Sequence, residues 1–326
     1  MTVAVAGASR GRERAVAAAI AALALVLAVA APGYFSTENL RDLLLANLPV
    51  LLVAIGMTLV IITGEIDISV GSMFAVCAVA SGVLAKSGLP IWLAAAAACL
   101  LGTALGWLNG ALVAYAGIPS IVVTLATMTA WREGLRWATD GAWVQDLPRS
   151  FQWLGLTAGQ FPFVALAVAA TLTAGLAWAL RFLAAGRAVY AAGSNPGAAR
   201  LAGLDTAAIT AAVFAMLGTL TGLAAVLNAA RFNQIPANGG IGLEMKVIAS
   251  VVVGGTSVTG GTGSILGTVL GVILLAATGP ALTFLGVSAY WERAIQGAII
   301  LVAIAAEGIR HPAFRRLVGI NARARA

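Results

Sequence analysis

The sequence predicts an all-α integral membrane protein: a bundle of about ten transmembrane helices, some of them short and broken, with both termini cytoplasmic. Hydrophobic residues make up 61% of the chain and charged residues 10%, whereas a soluble domain has roughly 45–50% and 25%. The mean hydropathy is +0.99. Aromatic residues make up only 7%, and the long Ala, Val, Leu and Gly runs are typical of helical spans rather than of the alternating segments of a membrane β-barrel.

The apolar segments follow one another along a single predicted domain over residues 1–326. They run over residues 15–31, 47–63, 68–85, 91–116, 119–131, 162–182, 206–229, 245–255, 264–280 and 291–308. The first has the basic front of a signal peptide, but because more spans follow we interpret it as an uncleaved helix. The segments 119–131 and 245–255 are short, which is typical of broken or re-entrant helices.

The charge distribution predicts the orientation. Ten crossings place both ends of the chain on one side of the membrane. That side would hold eleven basic and three acidic residues, and the other side would hold eight basic and seven acidic residues. Together the two sides account for all 19 Lys and Arg residues. The eleven are Arg10, Arg12, Arg14, Arg181, Arg187, Arg200, Arg310, Arg315, Arg316, Arg323 and Arg325. Because Lys and Arg are retained in the cytoplasm, the tails 1–14 and 309–326 and the loop 181–205 are predicted to be cytoplasmic.

The stretch "GEIDISVGS" places two carboxylates, Glu65 and Asp67, between two apolar helices. A bare carboxylate inside a membrane costs several kcal/mol, so each acid must be hydrogen-bonded, at the membrane edge or in a wet cavity. Asp67 fits a helix cap, as do Ser69 and Ser72, because such side chains accept first-turn N–H groups. Capping fits Glu65 less well, and the alternatives for it are a position along a solute pathway or pairing with a neighbouring helix.

Four further polar residues in apolar segments are candidates for lining a pathway. A Thr in a membrane helix usually bonds its own backbone, and a buried Asn often bonds a neighbouring helix, so a structural role competes with contact to solute in each case. The translocation-pathway candidates are Glu65, Asp67, Ser69, Asn109, Thr124, Thr127 and Asn228.

Two loops are distinctive. "GSNPGAARLAG" begins a short surface helix at Asn195-Pro196 and ends it at Gly203, a size that suits a shallow groove on a partner. "GGTSVTGGTGS" is glycine-rich but lacks the Gly-Lys-Ser/Thr of a nucleotide-binding loop, so ATP binding by this chain is not predicted. Cys77 and Cys99 stand in apolar runs without metal-ligand neighbours, and we predict no metal and no cofactor on this chain.

Five stretches, in this order, carry a family resemblance: "TGEIDISVGS", "IPSIVVTLATMTAWREGL", "AAGSNPGAARLAGL", "GLEMKVIASVVVGGTSVTGGTGSILGTVLG" and "WERAIQGAIILVAI". Together they resemble the permease subunits of bacterial ATP-binding-cassette importers for monosaccharides, the ribose, xylose, rhamnose and autoinducer-2 group. The resemblance covers about residues 47–308. The stretches "CAVASGVLAKSGLP" and "IPANGGIGLEMK" are most similar to the autoinducer and rhamnose members.

The resemblance implies a multi-pass protein of the inner membrane that forms the translocation pathway for a sugar-like solute and is not itself an enzyme. Its implied partners are a second permease, identical or homologous, two cytoplasmic ATPase subunits that bind ATP, a periplasmic sugar-binding protein and the lipid bilayer, with no nucleic acid. The implied ATPase-coupling helix carries Asn195, Pro196, Ala199, Arg200 and Leu201. One residue departs from the family pattern, Gly-Gly-Ile-Asp-Leu-Ser: Asp67 matches it and Glu65 does not.

Two other classes of protein compete with this one. A secondary transporter or channel would use Glu65 and Asp67 as an ion relay. An intramembrane enzyme would need a cluster of His, Ser or metal ligands at suitable spacing, which the sequence lacks.

Overall fold

The computed structural model describes residues 2–288, 290–292, 294–299 and 301, with side chains from residue 11 onward. Apart from two short 3-10 turns, the regular structure of this part is α-helical. The helices are α1 (Thr2–Ala30), α2 (Thr37–Ile62), α3 (Val70–Lys86), α4 (Ile91–Ala114), α5 (Ser120–Thr139), α6 (Gln160–Phe182), α7 (Ala184–Ser194), α8 (Pro196–Leu201), α9 (Thr206–Ala229), α10 (Leu243–Val253) and α11 (Ile265–Phe284).

The predicted apolar segments coincide with nine of these helices, and the all-helical class is confirmed for the described residues. Among the described residues, six helices are long and apolar enough to cross a membrane: the part of α1 from Gly11 to Ala30, and α2, α4, α6, α9 and α11. The predicted tail 1–14 is helical from Thr2. The end of the segment 291–308 and the tail 309–326 lie outside the described residues, and ten crossings remain a prediction.

Helix α2 lies at the centre of the bundle. From residue 48 to residue 62 all its residues except Leu51 are buried, and it contacts α9, α10, α11 and α6. Helices α1, α4 and α6 instead expose large apolar side chains such as Val29, Leu100 and Phe163. A helix that is apolar all round is typical of a bundle interior, and apolar side chains on the outside are typical of helices that face lipid.

Helices α4 and α9 pack backbone to backbone along a row of small residues. A Cβ atom added to Gly102 would collide with the carbonyl oxygen of Gly218, and one added to Gly106 would collide with that of Phe214. A Cβ atom added to Gly110 would lie 2.8 Å from the Cα atom of Ala211. Small residues four apart on one helix face let membrane helices approach in this way. As the chain of α4 advances, its contacts on α9 move back from Gly218 to Ala211, so the two helices form one antiparallel pair.

The bundle has two ends, which we name by what they carry. The α8 end carries α7, α8 and residues 254–264; Arg12 near the start of α1 belongs to it, since its Nη1 donates to the carbonyl of Gly255 at 3.1 Å. The opposite end carries residues 31–42 and 141–159, which are joined where Arg41 Nη2 donates to the carbonyl of Ala158 at 2.8 Å.

Two interruptions of the helices set the shape of the interior. Helix α2 ends at Ile62, and the chain passes through residues 63–69 before α3 begins. Helix α10 has only 11 residues, as predicted for the segment 245–255. Helix α5, in contrast, is not short: its 20 residues continue past the apolar segment 119–131 through the polar "WREGLRWAT".

Candidate functional site

The break between α2 and α3 is made by a reversal at Gly64. Its φ is +87°, a backbone conformation that glycine adopts without the cost a side chain would add. The next amide, Glu65 N–H, donates back to the carbonyl of Val60 at 3.2 Å. The chain then runs alongside α4 and α5 before Val70 starts α3.

Asp67 lies inside the protein, fully buried, at the centre of a hydrogen-bond cluster. Its Oδ1 accepts from the backbone N–H of Ser69 at 2.8 Å and from the Ser69 hydroxyl at 2.6 Å. Asn109 of α4 donates its Nδ2 to Asp67 Oδ2 at 3.3 Å and to Ser69 Oγ at 2.9 Å. The structure therefore brings together three of the predicted pathway residues and joins the break to α4.

This cluster differs from the predicted helix cap. The N-cap of α3 is Ser69, and its side chain makes no capping hydrogen bond. Asp67 accepts the N–H of Ser69 itself rather than one from the first turn. Because Asp67, Ser69 and Asn109 are all fully buried, they do not line an open passage in this conformation.

Helix α5 reaches the same break through its first two turns. The Ser120 hydroxyl accepts from the N–H of Ile66 at 3.3 Å. Thr124 donates to the carbonyl of Ser120 at 2.8 Å, and Thr127 donates to that of Val123 at 3.1 Å. Both threonines thus bond their own backbone, the structural alternative that the sequence left open for them.

Glu65 behaves differently from Asp67. It is half-buried, and its carboxylate makes no hydrogen bond or ion pair with any described residue. Its neighbour Gly64 lies against Gly260 of the glycine-rich loop. Glu65 is therefore placed near the α8 end, two residues before Asp67 in the chain.

Asn228 is not part of this site. It lies in the last turn of α9 and is half-buried. Since Gly110 of α4 packs against Ala211 of α9, Asn228 stands 17 residues further along, about 25 Å away at 1.5 Å per residue.

The predicted coupling segment folds as the sequence indicates. Asn195 caps α8, its Oδ1 accepting from the N–H of Ala198 at 3.0 Å. Leu201 is 93% exposed, and Asn195, Pro196 and Arg200 are also exposed. Ala199 is the exception among the five predicted residues, because it is buried against the rest of the chain.

The glycine-rich loop 254–264 packs beneath this segment. Gly193 lies so close to the carbonyl of Ile62 that a Cβ atom would not fit. That carbonyl accepts from Gly261 N–H at 2.8 Å, and the Tyr190 hydroxyl donates to the carbonyl of Gly263 at 2.8 Å. The loop permits close backbone packing, as predicted, and it connects α7 to the end of α2.

The sequence did not identify Lys246 and Glu292 as partners. The charge count places both on the outer side, each as the second residue of an apolar segment, but does not pair them; Lys246 Nζ lies 3.2 Å from Glu292 Oε1. Their separation of 46 residues hides the pairing, and the only signal is a lone Lys next to the apolar run "VIASVVV". Within the described residues no group of three or more His, Cys, Asp or Glu side chains could hold a metal ion.

Comparison with known proteins identifies the class. Residues 39–304 match the family described as "Branched-chain amino acid transport system / permease component". The match covers most of the chain, and the protein belongs to this family of transport permeases.

Individual relatives are more specific. The chain is 38% identical over 277 residues to the "Autoinducer 2 import system permease protein LsrC" of Escherichia coli K12, a comparison that covers 84% of this chain and 80% of the relative. The LsrC protein of Yersinia pseudotuberculosis is 37% identical over 276 residues, with 84% and 78% covered. That of Photorhabdus luminescens is 35% identical over 281 residues, with 84% and 83% covered. No solved structure matches the chain.

Proposed function

We propose that the chain is the permease subunit of an ATP-binding-cassette importer and forms the pathway by which autoinducer 2, or a sugar-like solute of its class, enters a bacterium. The observation that carries this is its 38% identity to LsrC over 84% of the chain. The family match runs from α2 through α11. The family description mentions branched-chain amino acids, but the individual relatives are nearer guides to the solute, and the five sequence motifs agree with them.

The proposed coupling helix is α8. Its exposed side chains, Leu201 and Arg200 with the cap Asn195, form a small surface that suits a groove on an ATPase subunit. The α8 end is then cytoplasmic, which agrees with the excess of Arg in the loop 181–205 and near the N-terminus. The opposite end would face the periplasm and receive the solute from a binding protein.

The energy for import is proposed to come from ATP on partner chains, because this sequence has no phosphate loop with the Gly-Lys-Ser/Thr ending. A complete transporter would contain a second permease, identical or homologous, two ATPase subunits and a periplasmic binding protein. This chain contributes the membrane pathway and no catalytic residue.

The alternative, an ion-driven transporter that relays protons between Glu65 and Asp67, is not favoured. Asp67 is bound on both carboxylate oxygens by Ser69 and Asn109, and Glu65 makes no contact with that cluster. A relay needs carboxylates that exchange protons along a connected path, and these two acids stand in separate surroundings.

The proposed function is tested by ATP hydrolysis in detergent or nanodiscs. The purified chain alone is expected to hydrolyse no ATP, whereas the assembly with its ATPase subunits and binding protein should hydrolyse ATP faster when autoinducer 2 is added. Solute uptake by the isolated chain driven by a proton gradient would contradict the proposal.

A further inference from the structure

A polar pocket of about 390 Å³ lies between α2, α10, α11 and the segment that carries Glu292 and Gln296, in the half of the bundle nearer the opposite end. This volume is in the range of small-molecule sites, roughly 300–1,000 Å³. Asp42, Asn47, Lys246, Glu292 and Gln296 line it. Polar and charged side chains between membrane helices are expensive to bury and mark solute or ion pathways.

Some polar groups of the pocket are hydrogen-bonded to one another, and others keep an oxygen that can accept a hydrogen bond. Glu292 Oε1 accepts from Lys246 Nζ at 3.2 Å and from Gln296 Nε2 at 2.9 Å. Lys246 is 46% exposed and Glu292 27%, so the pair lies at the surface of the chain. Asn47 donates its Nδ2 to the carbonyl of Leu43 at 2.9 Å, which leaves its Oδ1 as an acceptor.

The backbone adds another acceptor to the wall. Pro280 stands inside α11 and has no N–H, so it cannot donate the usual hydrogen bond to the carbonyl four residues earlier. That residue is Ala276, which lines the pocket together with Pro280. Hydroxyl groups of a solute are suitable donors to such a carbonyl.

The same three helices close the pocket toward the α8 end. Thr58 of α2 and Thr268 of α11 share a hydrogen bond of 2.7 Å. Gly271 packs against the carbonyl of Ser250 and Gly267 against that of Gly254. The pocket is therefore blind at its inner end.

We propose that this pocket is the outward-facing binding site for the imported solute and that it takes a neutral, multiply hydroxylated molecule about the size of one sugar ring. The proposal rests on the proposed function for its direction of transport. Among the described lining residues the charges are two carboxylates and one ammonium that is already paired. A phosphate ester would meet acceptors and carboxylates, whereas hydroxyl groups would donate to them.

The first test measures water access and protection by solute. In a background with Cys77 and Cys99 replaced by Ala, Ala46→Cys places a thiol in the pocket wall, and Ala22→Cys places one on the exposed face of α1. A charged, membrane-impermeant thiol reagent added from the outside should modify Ala46→Cys but not Ala22→Cys. Autoinducer 2 or D-ribose at millimolar concentration should slow the modification at least about threefold, and ribose 5-phosphate should not.

The outcomes separate this proposal from the proposed function. Unmodified Ala46→Cys in an assembly that transports autoinducer 2 would overturn the pocket while leaving the function intact. If the thiol of Ala46→Cys is modified and solute slows the modification, but the assembly shows no ATP-driven uptake, the pocket proposal stands and the proposed function is wrong. Stronger protection by the phosphate ester than by the neutral sugar would overturn the solute class.

The second test uses transport. Glu292→Gln and Asn47→Leu in the complete assembly should each raise the KM for solute uptake about tenfold, the usual scale for one lost buried hydrogen bond. The control is Thr173→Val in α6, which removes a hydroxyl that bonds only the carbonyl of Ala169 and should leave KM unchanged. Wild-type KM in both pocket variants would overturn the proposal.

Discussion

At the scale of single residues, the two acids of "GEIDISVGS" have different surroundings. Asp67 is fully buried and accepts from Ser69 and from Asn109, whereas Glu65 is half-buried and has no partner among the described residues. The family resemblance indicated this separation, because only Asp67 matches the pattern. The partner of Asp67 could not be predicted, since the register between the break and α4 is set by helix packing and leaves no local sequence signal.

Replacing each acid should therefore have unlike effects on stability. Asp67→Ala leaves the hydroxyl and the N–H of Ser69 without their acceptor and removes one of the two acceptors of the Asn109 amide. Each unsatisfied buried group costs about 1–3 kcal/mol. We expect a loss of several degrees in the thermal unfolding midpoint of the detergent-purified chain. Glu65→Gly should change that midpoint by less than about one degree, on the scale of an ordinary surface change. Equal losses for the two variants would show that Glu65 is structural as well.

At the scale of helices, the packing of α4 on α9 depends on glycines. The sequence predicted the two helices and their ends to within a few residues, because apolar runs of this length have few alternatives in a membrane. The sequence did not predict that α4 packs against α9. Gly102, Gly106 and Gly110 are spaced four apart, but many small residues in this chain have that spacing, so the spacing does not single out this pair of helices. The end of α5 was predicted too early for a different reason: hydropathy locates only the apolar part of a helix, and α5 continues into a polar stretch.

A pair of Gly→Ala variants tests the packing. Gly106→Ala should destabilise the protein by about 1–3 kcal/mol, the usual cost of overpacking a close contact, because its Cβ would collide with the carbonyl of Phe214. Gly134→Ala in α5 has open space around the new Cβ and should be neutral or stabilising by up to about 1 kcal/mol. The test is the thermal unfolding midpoint of both variants in the same detergent. An unchanged midpoint for Gly106→Ala would contradict the close approach of the two helices.

The proposed coupling role of helix α8 can be tested by reversing a charge on its surface. Arg200→Glu reverses a charge on its exposed face and should reduce ATP-driven uptake and copurification of the ATPase subunits about tenfold, because reversing a charge within the proposed docking surface disturbs the electrostatic match with the partner. Arg149→Glu makes the same charge change in an exposed residue of the opposite end and should leave copurification intact. Full copurification of the Arg200→Glu variant would remove α8 from the coupling role.

At the scale of the whole molecule, the two proposed working parts lie at the two ends of one bundle. The polar pocket is nearer the opposite end and closed by Thr58, Thr268 and the glycine contacts of α11. The proposed coupling helix, α8, is at the other end, where Gly193 of the preceding helix α7 and Gly261 of the glycine-rich loop both pack against the end of α2. The sequence predicted this short helix, because its Asn-Pro start and Gly stop are local, and its coupling role stays a prediction. The sequence missed the pocket, which needs residues from 39 to 296 brought together by folding.

The most direct measurement is uptake of autoinducer 2 into proteoliposomes that contain the chain, its ATPase subunits and any second permease, with the binding protein outside. We predict uptake only when ATP is enclosed on the α8 side, with no effect of an uncoupler. Uptake that is abolished by the uncoupler and is indifferent to ATP would contradict the proposed function.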